Sequence, residues 1–271
     1  MCVPGCEAAV RHALSRRGFV ARAAGAAALG FAATAVPAAA APKSFSKAVD
    51  LTHTMSPEFP TFFGVAGIEL QRDKEIRKDG YNLNWWHLIE HAGTHLDAPL
   101  HFSADGKSAD EIAPEALVVP LVVVDVAAKA QANPDYLLAR DDLAAWEKAH
   151  GRLPDGCCVA MRSGWDKLVG DPRFSGRDVG GTFHFPGVDP DAARWLIAER
   201  RVAGLAVDTL SLDTGASKDF KTHYLWLPSG RWGLENVANL GEVPASGATL
   251  VVGAPKVKGA TGGLTRLFAL V

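Results

Sequence analysis

"ALVVPLVVVDV", residues 116 to 126, is the stretch whose reading decides the fold class. It is a continuous apolar, β-branched run rather than an alternating one, the pattern of a strand covered on both faces. The segments that follow supply the cover. "RDDLAAWEKAHG" (140–151) reads as a helix capped by Asp141 or Asp142 and stopped by Gly151, and "CCVAMRSGW" (157–165) returns to strand. In "DPDAARWLIAERR" (189–201), Asp189 is the cap, Pro190 takes the first helical position, and Ala193, Leu196 and Ile197 share one face. The strand "LAVDTLSLD" (205–213) follows Gly204, and "ATLVVGAPKV" (248–257) and "LTRLFALV" (264–271) read as closing strands. Strands and helices therefore mix, with Gly/Pro-rich segments between them, and the class is α/β or mixed α+β.

Outward from this core, the chain has 271 residues, 48% hydrophobic and 21% charged, the balance of a globular protein. No repeat or low-complexity linker interrupts residues 45–271, so a single domain over 41–271 is expected. Residues 1–40 stand apart. "SRRGFV" pairs Arg16 with Arg17 ahead of Phe19, a weakly apolar Ala-rich stretch follows, and "PAAAA" ends near Ala40 or Ala41. These are the charged, apolar and cleavage regions of an export signal, and the paired arginines point to the twin-arginine route and a periplasmic or secreted location. The apolar stretch is short and Ala-rich for a retained span of about 20 residues, so no membrane attachment is expected once the signal is removed. Its removal takes away four arginines and Glu7, moving the formal charge from −2 to −5. A mildly acidic domain without a basic tract excludes nucleic acid as the expected partner. Cys2 and Cys6 leave with the signal, and Cys157 and Cys158 read as buried thiols in a strand rather than a disulfide framework.

The chemistry concentrates in "HAGTHLDAPLH", residues 91 to 101. Gly93, Thr94 and Pro99 argue against a helix, so a turn leading into an extended stretch is expected. Alternation there puts His95, Asp97, Pro99 and His101 on one side and Leu96, Ala98, Leu100 and Phe102 in the core. Imidazoles and a carboxylate converging in this way are the usual ligands of Zn²⁺, Mn²⁺ or Fe²⁺, and one carboxylate can bridge two metals. His101 is close enough to carry a proton instead of binding metal.

"HAGTHLDAPLHF" resembles the signature of the cyclase-like metal-dependent hydrolases, H-x-G-T-H-x-D-x-P-x-H, a family that includes bacterial kynurenine formamidases and isatin hydrolases. "VDLTHTMSPEFP", "RSGW", "FPGVDPDAARWL" and "VDTLSLD" are similar to further segments of that family. His223 and Glu235, twelve residues apart, match the family's second metal-binding pair. The resemblance implies one metal on His91, His95 and Asp97, a second on Asp97, His223 and Glu235, and His101 as acid/base. It also implies a compact mixed β-barrel-like core with flanking helices, one or two Zn²⁺ or Mn²⁺ ions per subunit, and a homo-oligomer, dimer or tetramer. The reaction it implies is hydrolysis of an arylformamide- or isatin-like amide or cyclic amide by metal-activated water. "SPEFPTFFG" places Phe59 where kynurenine formamidases carry a substrate-contacting Trp. Phe59, Trp85 and Trp86 are thus expected to clamp a flat ring, and they leave the substrate open. A lactone or ester hydrolase, a non-catalytic metal- or small-molecule-binding protein and a redox metalloenzyme stay as alternatives.

Overall fold

The computed structural model describes residues 44–271, so the export signal expected at 1–40 lies outside the described residues. In chain order the strands are β1 (Ala48–Asp50), β2 (Ile68–Lys74), β3 (Leu83–Leu88), β4 (His95–Asp97), β5 (Val118–Asp125), β6 (Leu137–Leu138), β7 (Cys158–Arg162), β8 (Gly187–Val188), β9 (Gly204–Val207), β10 (Trp232–Glu235), β11 (Thr249–Gly253), β12 (Gly262–Leu264) and β13 (Arg266–Leu270). The α-helices are α1 (Ile76–Asp79), α2 (Ala127–Ala132), α3 (Arg140–His150), α4 (Pro190–Glu199) and α5 (Lys221–Trp226).

Nine strands form one sheet in the order β1-β13-β11-β5-β7-β9-β10-β4-β12. The central four, β5, β7, β9 and β10, are parallel, and their outer neighbours pair antiparallel. The continuous apolar run of β5 is explained by its two covered faces. Val122 and Val124 pack with Leu143 and Trp146 of α3 and Leu196 of α4. Leu121 and Val123 point the other way, into a cluster with Leu51, Leu96, Leu234 and Leu267. That second cluster draws on strands from both ends of the sheet, so the sheet curls over its own concave face as a half-barrel. Thr52 bridges Val237 and Leu51 C=O accepts the Ala238 N–H at 2.9 Å, tying the chain after β1 to the chain after β10. Each fully buried Val or Leu here contributes about 1.5–3 kcal/mol of transfer free energy.

Local signals act largely as the sequence suggests. The Asp189 carboxylate accepts the Asp191 N–H at 2.7 Å and Pro190 opens α4. At α3 the cap differs from expectation: Ala139 takes that position, and Asp142 reaches back from the first turn to accept the Ala139 N–H at 2.8 Å. The strand expected over 205–213 stops at Val207. Beyond it the Asp208 carboxylate binds the Ser163 and Gly164 N–H groups instead of continuing a ladder, with burial pushing its pKa up to about 6. Cys157 and Cys158 are free and fully buried, and burial pushes the Cys157 thiol up to about 12. Among the described residues no helix is long and apolar enough to cross a membrane.

Candidate metal centre

The segment 91–101 does not run as one extended stretch. His91 sits in the turn before β4, His95 and Asp97 lie on β4, and Pro99–His101 winds into a 3-10 turn that delivers His101. The expected alternation holds to Ala98 and fails beyond it. Pro99 has no N–H to extend a ladder and starts the turn, so Phe102 is only partly buried, packing against the core cluster under the helices while it also lines a cavity. Gly93 has φ +65°, and a Cβ there would meet Met55 Sδ at 2.7 Å, so the turn carrying His91 requires glycine.

Strand pairing brings in the distant half of the site. On β10, Glu235 lies directly opposite His95 and Gly233 opposite Asp97. On the other side of β4, Gly262 lies opposite Asp97, where a Cβ would come within 2.7 Å of His91 Cε1. His223 enters from the first turn of α5. His95 Nε2 stands 3.3 Å from both Asp97 Oδ1 and Glu235 Oε2. His223 Nε2 stands 3.1 Å from Glu235 Oε1 and 3.6 Å from Asp97 Oδ2. Two sets of ligand-type atoms lie within 4.8 Å of one another: His95, Asp97 and Glu235, and His91, Asp97 and His101. Asp97 belongs to both.

The hydrogen-bond network fixes which nitrogen each imidazole turns inward. His95 Nδ1 donates to Gly93 C=O at 2.8 Å, and His223 Nδ1 to Asp213 Oδ2 at 2.6 Å. The Thr261 hydroxyl gives its proton to Glu90, so it accepts from His91 Nε2, at 2.8 Å. That leaves His91 Nδ1, His95 Nε2 and His223 Nε2 as lone pairs facing carboxylate oxygens, a repulsive arrangement unless a cation or protons fill it. His95 Nε2 and Asp97 Oδ2 are buried without a hydrogen-bond partner among the described residues. This nitrogen and oxygen donor set fits Zn²⁺ or Mn²⁺. The titration of the metal-free cluster follows the same electrostatics. Burial presses the His95 imidazole down, but Asp97 and Glu235 outweigh it and lift it to about 10. His223 is raised well above its usual range against burial by Asp213, Asp97 and Glu235. His101 goes the other way: burial, with repulsion from His91 and His223, holds it near about 4 despite Asp97 and Glu235.

The cavity at this centre, about 170 Å³, is lined by His91, His101, His223 and Glu235 together with Ser211, Leu210 and four phenylalanines, Phe62, Phe63, Phe102 and Phe220. The residues expected to clamp substrate lie elsewhere. Phe59 is buried against His53 and Phe174 and does not line this cavity. Trp85 and Trp86, 60% and 63% exposed, stand on the separate β2–β3 hairpin because that hairpin has no layer packed over it in the single chain. Asp213, Thr261 and the cavity phenylalanines were not among the sequence-derived site residues. Only Asp213 had a signal, as the last residue of "VDTLSLD".

The model of the family described as "Putative cyclase" matches residues 49–214. Isatin hydrolase of Roseibium aggregatum is 35% identical over 216 residues, 75% of this chain and 81% of that protein. Kynurenine formamidase of Salinibacter ruber is 26% identical over 213 residues, 78% of this chain and 91% of that protein. The structure of isatin hydrolase A from Labrenzia aggregata bound to benzyl benzoate superposes with a TM-score of 0.78 at 36% identity, over 83% of this chain and 93% of that one. An isatin hydrolase bound to the product analogue thioisatinate superposes at 0.77 with 34% identity, over 83% and 92%.

Proposed function

This chain belongs to the cyclase family, and from that premise we propose that it is a metal-dependent hydrolase opening the carbon–nitrogen bond of a small aromatic amide or cyclic amide, isatin-like or arylformamide-like. The observation that carries the substrate class is the lining of the cavity, in which Phe62, Phe63, Phe102, Phe220 and Leu210 stand beside His91, His101, His223 and Glu235 of the metal centre. Such a lining accepts a flat ring and presents its carbonyl to the histidines.

His91, His95, Asp97, His223 and Glu235 would hold one or two divalent cations, with Zn²⁺ and Mn²⁺ both suited to the donors. A cation bound there supplies an acidified water and positive charge for the carbonyl oxygen. His101 moves the proton. Its ring stacks on His91 at 3.6 Å and 16°, which fixes its orientation at the cavity wall. Held near about 4, it is neutral at neutral pH, and a ring nitrogen is free to take a proton from water and return it to the leaving nitrogen. Phe62, Phe102 and Phe220 line the same cavity and would limit solvent around that transfer.

The export signal at residues 1–40 would take the folded enzyme out of the cytoplasm. Assembly into a homo-oligomer is supported by the β2–β3 hairpin, which exposes Leu70, Leu83, Trp85, Trp86 and Leu88 together. The decisive experiment is a hydrolysis panel of isatin, N-formylarylamines and aryl lactones on protein loaded with Zn²⁺ or Mn²⁺. Opening of isatin or a formamide is expected. Fully loaded protein that turns over none of the nitrogen substrates would overturn the proposal.

A further inference from the structure

A second cavity, about 480 Å³, lies at the far end of the parallel strands. Its lining includes Ala116, Gly156, Ala203 and Arg231, each of which stands just before one of β5, β7, β9 and β10. The metal centre lies at the opposite end: Trp232 opens β10 and lines this cavity, whereas Glu235 closes β10 about 10 Å further along. The two cavities share no lining residue.

The charge of the second cavity is one-sided. Lys107, Arg201 and Arg231 line it, and no Asp or Glu among the described residues does, although the chain as a whole is net acidic. Arg231 is half-buried with only neutral partners. Nε donates to Val202 C=O at 2.9 Å, Nη1 to Ser229 Oγ at 2.9 Å and Ser229 C=O at 3.4 Å, and Nη2 to Ile197 C=O at 3.4 Å. Burial presses its pKa down with no carboxylate to hold it up. Lys107 makes no ion pair among the described residues, and Arg201 reaches Asp155 at 3.4 Å from an exposed position. A half-buried guanidinium without a counter-ion is costly, and an incoming anion removes that cost. Beside Ser229, the wall is largely apolar, with Pro99, Ile112, Ala113, Val202 and Trp232.

We propose that this cavity is a binding site, separate from the metal centre, for a small organic carboxylate with an apolar body. The carboxylate meets Arg231 with Lys107 and Arg201 at the rim, and the body lies against Trp232 and Ile112. Its occupancy is independent of the reaction assigned to the metal centre.

The test is calorimetric titration of the metal-free protein with benzoate, neutral benzamide and inorganic phosphate, repeated on a Lys107→Glu/Arg201→Glu variant. Both replaced side chains are exposed and outside the catalytic machinery, and the melting temperature checks that the variant folds. One benzoate is expected to bind per chain, benzamide and phosphate at least tenfold more weakly, and the variant to lose benzoate affinity at least tenfold. An unchanged benzoate affinity in the folded variant would overturn the site. Phosphate binding as tight as benzoate would overturn the apolar part of the assignment.

Discussion

Asp213 Oδ2 lies 2.6 Å from Nδ1 of His223, and the same carboxylate accepts the backbone N–H groups of Thr222 and His223 at 2.9 and 3.1 Å. One buried side chain thus starts α5, sets the His223 tautomer and aims Nε2 at Asp97 and Glu235. Replacing Asp213 by Asn keeps the shape but weakens the acceptor. Metal affinity is expected to fall about 10–100-fold while the far-ultraviolet spectrum is unchanged. Chelator competition measures it, and a wild-type affinity would mean that His223 is positioned by packing alone.

His101 is assigned a proton, not a metal. Replacing it by Ala should lower turnover about 10²–10⁴-fold while bound metal per chain stays at the wild-type level. Metal analysis beside steady-state kinetics separates the outcomes. Loss of metal would move His101 among the ligands, a role its place in one of the two ligand groups makes worth checking.

Asp97 and Glu235 keep His95 and His223 protonated in the metal-free protein, with His95 raised to about 10. Ligation needs a neutral imidazole, so metal uptake must release protons, and apparent affinity should rise as pH is raised from 7 towards 9. For the metal-free protein the sign of the stability effect is opposite. A raised histidine contributes stability that is fully present below its unfolded value of about 6.5 and is lost as pH rises through about 10. Calorimetry in two buffers of different ionisation enthalpy reads the proton release. Equal heats in both would show that the cluster is neutral before the metal arrives.

The sequence made the near half of this site legible because four polar residues fall within eleven positions, and residue type alone limits what they can do. His223 and Glu235 were reachable only through resemblance to a family. Their approach depends on the register that sets Glu235 against His95, which no local pattern encodes. The central sheet was legible from β5 because covering both faces leaves a compositional trace. The lining of the cavity was not. Phe102 packs partly against the core as the alternation suggests, but that pattern does not reveal that it also lines the cavity, and Phe220 holds φ +47°, a conformation bulky residues seldom adopt and that sequence gives no reason to expect. Trp85 and Trp86 suggested a clamp because aromatic faces can hold a flat ring, yet their hairpin is left uncovered in the single chain.

Gly204 tests how tightly the parallel strands are packed behind the site. A Cβ at this buried position would come 2.1–2.3 Å from atoms of the Trp232 ring, whose Nε1 donates to Ala116 C=O at 3.0 Å. Gly204→Ala must displace the ring or part β9 from β10. A loss of about 1–3 kcal/mol is expected in urea unfolding. A stability within about 0.5 kcal/mol of wild type would show that the indole has room to move.

Phe62 separates the two accounts of substrate recognition. It packs on Phe183 at 4.9 Å and Phe220 at 5.9 Å and lines the same cavity as His101, whereas Trp85 lies on the exposed hairpin. If the cavity phenylalanines hold the ring of the substrate, Phe62→Ala should raise KM roughly tenfold, the effect of about 1.4 kcal/mol, with a smaller change in kcat. The effect should be strongest for bicyclic amides and fade for a small aliphatic amide that never reaches them. Trp85→Ala acts differently: in a monomer it should leave KM alone, and in an oligomer any change should track the state of association measured by light scattering. A KM that rises for Trp85→Ala in monomeric protein and stays fixed for Phe62→Ala would return recognition to the hairpin and take it from the cavity.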